Sequence, residues 1–436
     1  MQPRHLFPAA VLFLINVLNF YDRNAPGALV EPMRKEFGLS DTQIGLLGGV
    51  FIWVYALVAV PFGRIADSWS RKRLLALGII FWTALTAIGG LAPSFAILLF
   101  SRMGVGVGEA VCAPTATSWL GDLFPPDRRA RMLALFMLGV PVGGALSYFF
   151  SGPVAQAFGW RAAMVVAALP ALLLVPLLFL LREPERGASE TAYRGNTSVR
   201  SLFAIPTLWW IVASGVCVNF NMYAIGTFLP AFLSRVHKLP LASAGVATGV
   251  VYLVGGVSGA LLAGYLGDRI VRRRQDGRMR MAALFTAIGA PFAFIVIIQP
   301  AGSIALALSC LTVGYGSLNA YYGFVYSSVQ DIVPPNRRGL AMAVYFMAMY
   351  LCGGSFGPLL TGNLSDRLAK RAMAAASASH MTEGFKAIGL HEAMLVIPVL
   401  SLLLGAVLYL GSRTIKGDLA RLAESQNASR SFNAAV

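Results

Sequence analysis

The sequence predicts an all-α integral membrane protein of twelve transmembrane helices in two six-helix pseudo-repeats. Three observations predict it. Of 436 residues 57% are hydrophobic and only 12% charged, with a mean hydropathy of +0.68; a soluble chain carries about twice that charged fraction. Twelve runs of about 20 apolar residues, each long enough to cross a bilayer, divide the chain. Two loop patterns then recur at nearly one period in the second half.

The spans cover approximately 6–28, 43–66, 74–92, 95–120, 131–155, 161–181, 206–234, 242–267, 280–299, 302–330, 339–364 and 390–411. The apolar run after Arg4 lacks a small-residue cleavage site and reads as a retained first span. With both termini on one side, that side holds 24 of the Lys and Arg residues and the other nine. The positive-inside rule then puts both termini in the cytoplasm of a multi-pass protein of the inner (plasma) membrane. The net charge of +16 is therefore a topology signal, and a nucleic-acid partner is excluded. Cys112, Cys217, Cys310 and Cys352 all lie in apolar spans and read as small buried side chains, without metal-ligand spacing. No P-loop or nucleophile elbow is present, so neither ATP drive nor enzymatic hydrolysis has support. No cofactor is expected.

The repeat is read from the loops. GRIADSWSRKR after span 2 (Gly63–Arg73) returns as GYLGDRIVRRR after span 8 (Gly264–Arg274), and GDLFPPDRRAR after span 4 (Gly121–Arg131) returns as QDIVPPNRRGL after span 10 (Gln330–Leu340). Asn19-Phe20 and Asn219-Phe220 match at a similar shift. The chain divides as a bundle over 1–181, a polar cytoplasmic linker over 182–205, a second bundle over 206–412 and a tail over 413–436 that is expected to fray. An Ala-rich run over 368–378 reads as a short surface helix. Pro141, Pro153, Pro230, Pro291 and Pro358 mark bending points.

Ionisable residues at membrane depth are the candidate site. Span 4 carries RMGVGVGEA, in which Arg102 and Glu109 are two turns apart on one face, about 10 Å along the axis. Gly104, Gly106 and Gly108 between them let a neighbouring helix approach. Asp22 lies about 24 Å up span 1 and Arg102 about 10 Å below the outer surface, so in a core about 30 Å thick the two meet. Two carboxylates competing for Arg102 suit a proton-coupling switch made of Asp22, Arg102 and Glu109. The bland alternative is a permanent ion pair joining spans 1 and 4, a weak source of stability. Arg23 points elsewhere on span 1, toward Asp22, Glu31 or the outer mouth. At matching depths the second half has no ionisable residue. It offers Phe220, Asn221, Tyr223 and Phe228 on span 7, and Asn319, Tyr321, Tyr322 and Tyr326 on span 10. A cavity charged on one wall and aromatic on the other suits an amphiphile, for which Asn19, Arg23, Arg102, Asn219, Phe220, Tyr223, Asn319, Tyr322 and Tyr326 are the candidate binding residues. Helix packing is the bland reading of each aromatic taken singly. The four histidines sit at span ends or in loops.

Twelve spans in two halves with GxxxDxxxRKR after span 2 resemble the major facilitator superfamily of secondary transporters. LNFYDRN in span 1, FGLSDTQIGLL entering span 2, RMGVGVGEA, GDLFPPDRRARMLALF and VPVGGALSY resemble its spinster branch. The resemblance implies alternating access, with Asp67 bracing the cytoplasmic ends of neighbouring helices. Gly63, Arg71, Asp122, Arg129 and the repeat copy Asp268 join Asp67 as gating candidates. It further implies a lysophospholipid or sphingosine-phosphate-like substrate. The charged trio adds proton coupling, and a monomer among membrane lipids is expected. Alternatives are a proton-coupled carrier of small organic anions, a multidrug–proton antiporter, and, in another class, a non-transporting lipid sensor. A small-anion carrier calls for a second basic residue in the C-terminal wall, and none is present there.

Overall fold

Among the described residues, twelve helices long and apolar enough to cross a membrane follow one another: Leu6–Ala28, Asp41–Ala59, Arg71–Gly90, Phe95–Leu123, Met132–Phe158, Trp160–Leu180, Pro206–Arg235, Leu241–Val271, Gly277–Ile298, Ile304–Ile332, Leu340–Ala375 and Glu383–Glu424. They are numbered spans 1–12 below. The computed structural model describes residues 3–124, 126–184, 202–299, 303–334 and 337–435, with the side chains of 3–5, 60, 67, 126, 127, 129–131, 339 and 425–435 outside that description. Among the described residues there is no strand. An even number of spans brings both ends of the chain to one face, called here the terminal face; the other is the far face.

Local chemistry sets the helix limits. Span 2 starts at a capping box in which Ser40 accepts from the Gln43 N–H and the Gln43 side chain accepts from Ser40, satisfying two orphan donors at once. Span 3 starts on Ser70, which accepts from the Arg73 N–H, and Glu183 also accepts from the Arg71 N–H at 2.9 Å. Spans 5 and 6 are joined at Gly159, whose φ of +86° suits glycine. Outside, large apolar side chains such as Phe100, Leu180 and Phe158 are over two-thirds exposed, as hydrocarbon-facing positions require.

Four spans break where proline removes a hydrogen bond: spans 6 and 12 ahead of Pro176 and Pro398, and spans 4 and 5. Span 5 is two helices, Pro126–Met137 and Gly139–Phe158, because Pro141 cannot donate to the Met137 carbonyl. Span 4 is Phe95–Glu109 followed by Cys112–Leu123. Pro114 leaves the Ala110 carbonyl without its partner in the same way, a bend absent from the expected set of proline bends. The first segment of span 4 therefore ends on Glu109.

Three expectations need correction. The tail does not fray at Arg413: one helix runs from Val396 to Ala435. Asp418 fixes it there, accepting from the Thr207 N–H at 2.9 Å while pairing with Arg421 at 3.0 Å. The Ala-rich run over 368–378 is no separate helix, since Phe356–Ala375 continues through most of it. Of the four cysteines expected to be buried, Cys352 is exposed and Cys217 half-buried. Residues 185–201 of the expected linker lie outside the described residues.

Spans 1–6 and 7–12 meet along two crossings, span 2 against 11 and span 5 against 8, and both are tight only toward the far face. A Cβ at Gly49 would stand 2.6 Å from the Ser355 carbonyl oxygen, and one at Gly245 2.8 Å from that of Tyr148. At the terminal-face ends of spans 2 and 8, Gly63 and Gly264 have nothing within 4 Å of a Cβ. Ion pairs agree. Arg235 at the end of span 7 holds both carboxylate oxygens of Asp41 at 2.8 Å and Glu31 at 2.6 Å. Arg34 pairs with Glu383 at 2.5 Å, and Asp366 accepts from the Asp41 and Thr42 N–H groups at 3.0 and 2.8 Å. Among the described residues every ion pair between the two sets of spans is at the far face. Among the described residues, the ion pairs and the closest glycine contacts that join the two sets of spans lie toward the far face.

Candidate functional site

The break after Glu109 and the glycines before it determine how span 4 packs. A Cβ at Gly106 would stand 2.8 Å from the Phe51 carbonyl oxygen of span 2, and one at Gly108 2.9 Å from the Trp82 backbone nitrogen of span 3. Span 4 thus lies against both neighbours and turns Arg102 and Glu109 inward toward span 1. Span 1 is fixed in turn by Asn16, which donates to the Phe136 carbonyl at 2.7 Å.

Four charges meet there, none more than 8% exposed. Arg23 Nε donates to Glu109 Oε2 at 3.0 Å, and Arg23 Nη2 reaches Asn19 Oδ1 at 3.4 Å. Arg102 Nη1 lies 3.9 Å from Asp22 Oδ1, and Arg102 Nη2 donates to the Arg23 carbonyl at 3.4 Å. Span 1 and span 4 meet at the depth expected from the sequence. The partnership differs from the expected competition for Arg102: each carboxylate has its own arginine, and Arg23 faces inward to Glu109 instead of the outer mouth. Two like-charged guanidiniums side by side are tolerable because aromatic faces and opposite charges surround them. Arg23 lies 4.5 Å from the ring centres of Phe20 and Tyr55, and Arg102 lies 4.7 Å from that of Phe51.

Thr86, Phe51 and Tyr55 were not legible as site residues. The Thr86 hydroxyl stands 2.8 Å from both oxygens of Asp22, making it the closest polar contact of that carboxylate. A lone threonine in an apolar span carries no sequence signal, and Tyr55 reads as ordinary packing.

The opposite wall comes from spans 7, 10 and 11. Tyr322 donates to Asn219 Oδ1 at 2.7 Å, and Asn219 Nδ2 reaches the Met349 carbonyl at 3.3 Å. Tyr322 packs on Tyr326 with ring centres 5.6 Å apart. Tyr223 packs on Tyr350 at 6.2 Å, and Tyr350 on Tyr55 at 5.7 Å, so the tyrosine wall reaches the charged one. Phe220, Tyr223, Asn319, Tyr322 and Tyr326 are half-buried. Asn221 and Phe228 do not join them: Asn221 donates to the Ile397 carbonyl and Ser401 of span 12, and Phe228 is fully buried. Tyr321 is also withdrawn, its hydroxyl 2.7 Å from Ser214 and 3.0 Å from Tyr345.

At the terminal face Arg71 pairs with Asp122 at 2.6 Å, within the first six spans. Arg278 pairs with Asp331 at 2.5 Å and Asp268 at 3.4 Å, within the last six. Asp331 is the repeat copy of Asp122, so both loop patterns place an aspartate against an arginine at the same level. Gly63 is open. The side chains of Asp67 and Arg129 lie outside the described residues.

Residues 12–358 match the model of the Major Facilitator Superfamily. Human protein spinster homolog 1 is 33% identical over 390 residues, covering 82% of this chain and 72% of that protein. An MFS-type efflux pump of Mycolicibacterium smegmatis is 29% identical over 425 residues, covering 96% of this chain and 95% of the pump. Crystal structures of a bacterial homolog of the human lysosomal transporter spinster, inward-facing and either unoccupied or occupied, align with TM-scores of 0.83 and 0.84. They share 27% identity with this chain and cover 96% of it and 99% of their own. A twelve-span body of two facing six-helix sets, joined at the far face among the described residues, defines a membrane transporter of the alternating-access type. The chain belongs to the major facilitator superfamily, in its spinster branch.

Proposed function

We propose that the protein is a proton-coupled secondary transporter of lysophospholipid or sphingosine-phosphate-like amphiphiles. The observation that carries the proposal is the juxtaposition of the buried Arg23–Glu109 pair with the tyrosine wall, through the contact of Tyr55 with Tyr350. A proton on Glu109 cancels the charge that holds Arg23. The freed guanidinium is then available to a phosphate headgroup, which it can meet with two parallel hydrogen bonds. Arg102 and Asp22 form the second half of the switch, with Asn19 beside it. The acyl chain of the substrate lies along Phe220, Tyr223, Tyr322 and Tyr326, with Asn219 and Asn319 toward the polar end. The two bundles, 1–181 and 206–412, rock about this central site, and the terminal-face cluster of Gly63, Asp67, Arg71, Asp122, Arg129 and Asp268 stabilises one access state. In this reading the terminal face is cytoplasmic, the host membrane is the inner or plasma membrane, and the monomer is the working unit.

A second reading is favoured by the near full-length match to an efflux pump: export of amphiphilic drugs through the same aromatic wall. A carrier of small organic anions is disfavoured, because the residues of the tyrosine wall include no basic side chain. Uptake of labelled lysophosphatidylcholine and lysophosphatidylglycerol into proteoliposomes under an imposed pH gradient tests the proposal, with Glu109→Gln alongside. Gradient-dependent lipid flux that the variant loses is expected. Gradient-dependent drug flux without lipid flux would move the substrate to the second reading, and lipid flux blind to the gradient would remove proton coupling.

A further inference from the structure

Spans 8 and 11 cross from the last six spans to the first, and each contains a single π-helical turn, Val251–Gly255 and Met349–Gly354. The two turns share a sequence, YLVGG from Tyr252 to Gly256 and YLCGG from Tyr350 to Gly354. Such turns interrupt the α ladder and concentrate at functional positions. Here they fall where the tight seam ends. On the far-face side of each turn the helix is clamped: a Cβ at Gly152 would stand 3.0 Å from the Leu241 carbonyl oxygen, and one at Gly49 2.6 Å from that of Ser355. On the terminal-face side the segments Gly256–Val271 and Arg338–Ala348 expose Leu261, Tyr265 and Met347.

The first residue of each shared sequence is a tyrosine that reaches a tyrosine of the first six spans. Tyr350 packs on Tyr55 at 5.7 Å and Tyr252 on Tyr148 at 4.9 Å. Those partners stand beside consecutive residues of span 1: the Tyr55 ring lies 4.5 Å from the Arg23 guanidinium, and the Tyr148 hydroxyl, which donates to the Gly226 carbonyl of span 7 at 2.6 Å, is 3.5 Å from Asn24 Oδ1. Arg23 is the residue paired with Glu109.

We infer that Tyr252 and Tyr350 are coupling residues that relay the state of the Arg23–Glu109 pair to hinges at the two π turns, on which the terminal-face ends of spans 8 and 11 swing. The inference deepens the proposed proton switch and rests on it. Glu109 is faced by Arg23 and Asp22 of span 1 and by Arg102 and Cys112 of its own span, while Tyr55, Tyr223 and Tyr350 surround Arg23. When Glu109 gains a proton, Arg23 leaves its 3.0 Å contact and the face it presents to Tyr55 changes. The packing of Tyr55 on Tyr350 then differs between the two states. A differential contact of this kind is what biases a two-state element. Tyr148 and Tyr252 do the same for span 8, Tyr148 lying against Asn24, the neighbour of Arg23, and bonded to Gly226 of span 7.

The test is a distance measurement in nanodiscs between spin labels at Leu135 of span 5 and Leu261 of span 8, both exposed, with the four native cysteines replaced by alanine. In the parent the label distance is expected to shift between pH 5 and pH 8, and Glu109→Gln should hold it at one limit. In Tyr252→Ala and Tyr350→Ala the pH-dependent shift in the open-to-closed ratio should shrink by about fivefold or more, while the Phe variants, which keep the ring, retain it. Where an alanine variant does not fold, Leu keeps the volume and removes the ring. A responsive parent with equally responsive Ala or Leu variants would overturn the inference alone. A parent blind to pH would overturn the proton switch and the inference with it.

Discussion

Arg23 Nε lies 3.0 Å from Glu109 Oε2, whereas Arg102 Nη1 stands 3.9 Å from Asp22 Oδ1, so the two buried pairs are unequal. Removing one member of a buried pair leaves an uncompensated charge and costs about 3–5 kcal/mol. Arg23→Ala should therefore lower thermal stability in detergent sharply. The double variant Arg23→Ala/Glu109→Gln should regain most of that loss, because neither charge remains. If the double variant is as unstable as the single, Glu109 is held by Arg102 instead.

Thr86 is the neutral partner of Asp22, with its hydroxyl 2.8 Å from both carboxylate oxygens. A hydrogen bond to a charged group contributes about 1.5–3 kcal/mol. Thr86→Val keeps the shape and loses the donor, so its gradient-driven flux should fall by about tenfold or more, the rate equivalent of ~1.4 kcal/mol. Thr86→Ser should restore it. Equal flux in the Val and Ser variants would show that the hydroxyl is dispensable.

The spans and the charged centre were legible in the sequence because membrane burial makes both signals loud. Long apolar runs are required to cross hydrocarbon, and a charge within one stands out. Depth along two helices brought Asp22 to Arg102. Pairing was not legible, because whether Glu109 meets Arg23 or Arg102 depends on how span 1 is rotated, and rotation follows from packing at Gly106, Gly108 and Asn16. The bend at Pro114 is readable from the proline rule alone, since it stands four residues after Ala110. Span membership alone puts Asn221 and Phe228 on the cavity wall, because it does not say which face of span 7 they occupy. Thr86 and Tyr350 had no signal, since a hydroxyl or a ring in an apolar span gains meaning only from what stands opposite.

The far-face seal depends on Arg235 more than on its neighbours. Arg235 binds Asp41 through two nitrogens and Glu31 through a third, all nearly buried. Truncating such a charge-pair member costs about 2–5 kcal/mol. Arg235→Ala should move the population toward the state open at the far face, read as faster alkylation there of a cysteine placed at Thr42. Arg34→Ala should do less, because its partner across the seal, Glu383, is 61% exposed and its other pair, with Glu31 at 3.0 Å, stays within the first six spans.

Glu36 gives a control that leaves the seal alone. It bridges Trp160 and Arg161 within the first six spans, each at 2.6 Å. The Trp160 indole N–H, with Arg161, holds the Glu36 carboxyl below the usual carboxylate range. A lowered native value stabilises the fold above the unfolded value of about 4.3 and is lost as pH falls through the native one. Glu36→Gln should therefore leave stability at pH 7 within about 1 kcal/mol of the parent, as for an exposed pair. Its difference from the parent should vanish in acid. A loss that persists once pH has fallen below the native value would show that the carboxylate charge is not its source.

The glycines of the two crossings predict an asymmetry between faces. Near the far face a Cβ at Gly49 or Gly245 would come within 2.8 Å of a backbone oxygen on the other set of spans. Backbone cannot yield as a flexible side chain does, so Gly49→Ala and Gly245→Ala should disfavour the sealed far face and raise its accessibility. At the terminal face Gly63 and Gly264 have open space, and alanine there is harmless to the state described. If the protein alternates access, those surfaces must close in the other state. Gly63→Leu and Gly264→Leu should then keep the fold and the unfolding temperature while slowing flux, as the protein is trapped open toward the terminal face. Spin-label distances between Leu135 and Leu261 report the trapping directly. Unchanged flux in both leucine variants would mean that the terminal-face ends of spans 2 and 8 never approach the opposite set.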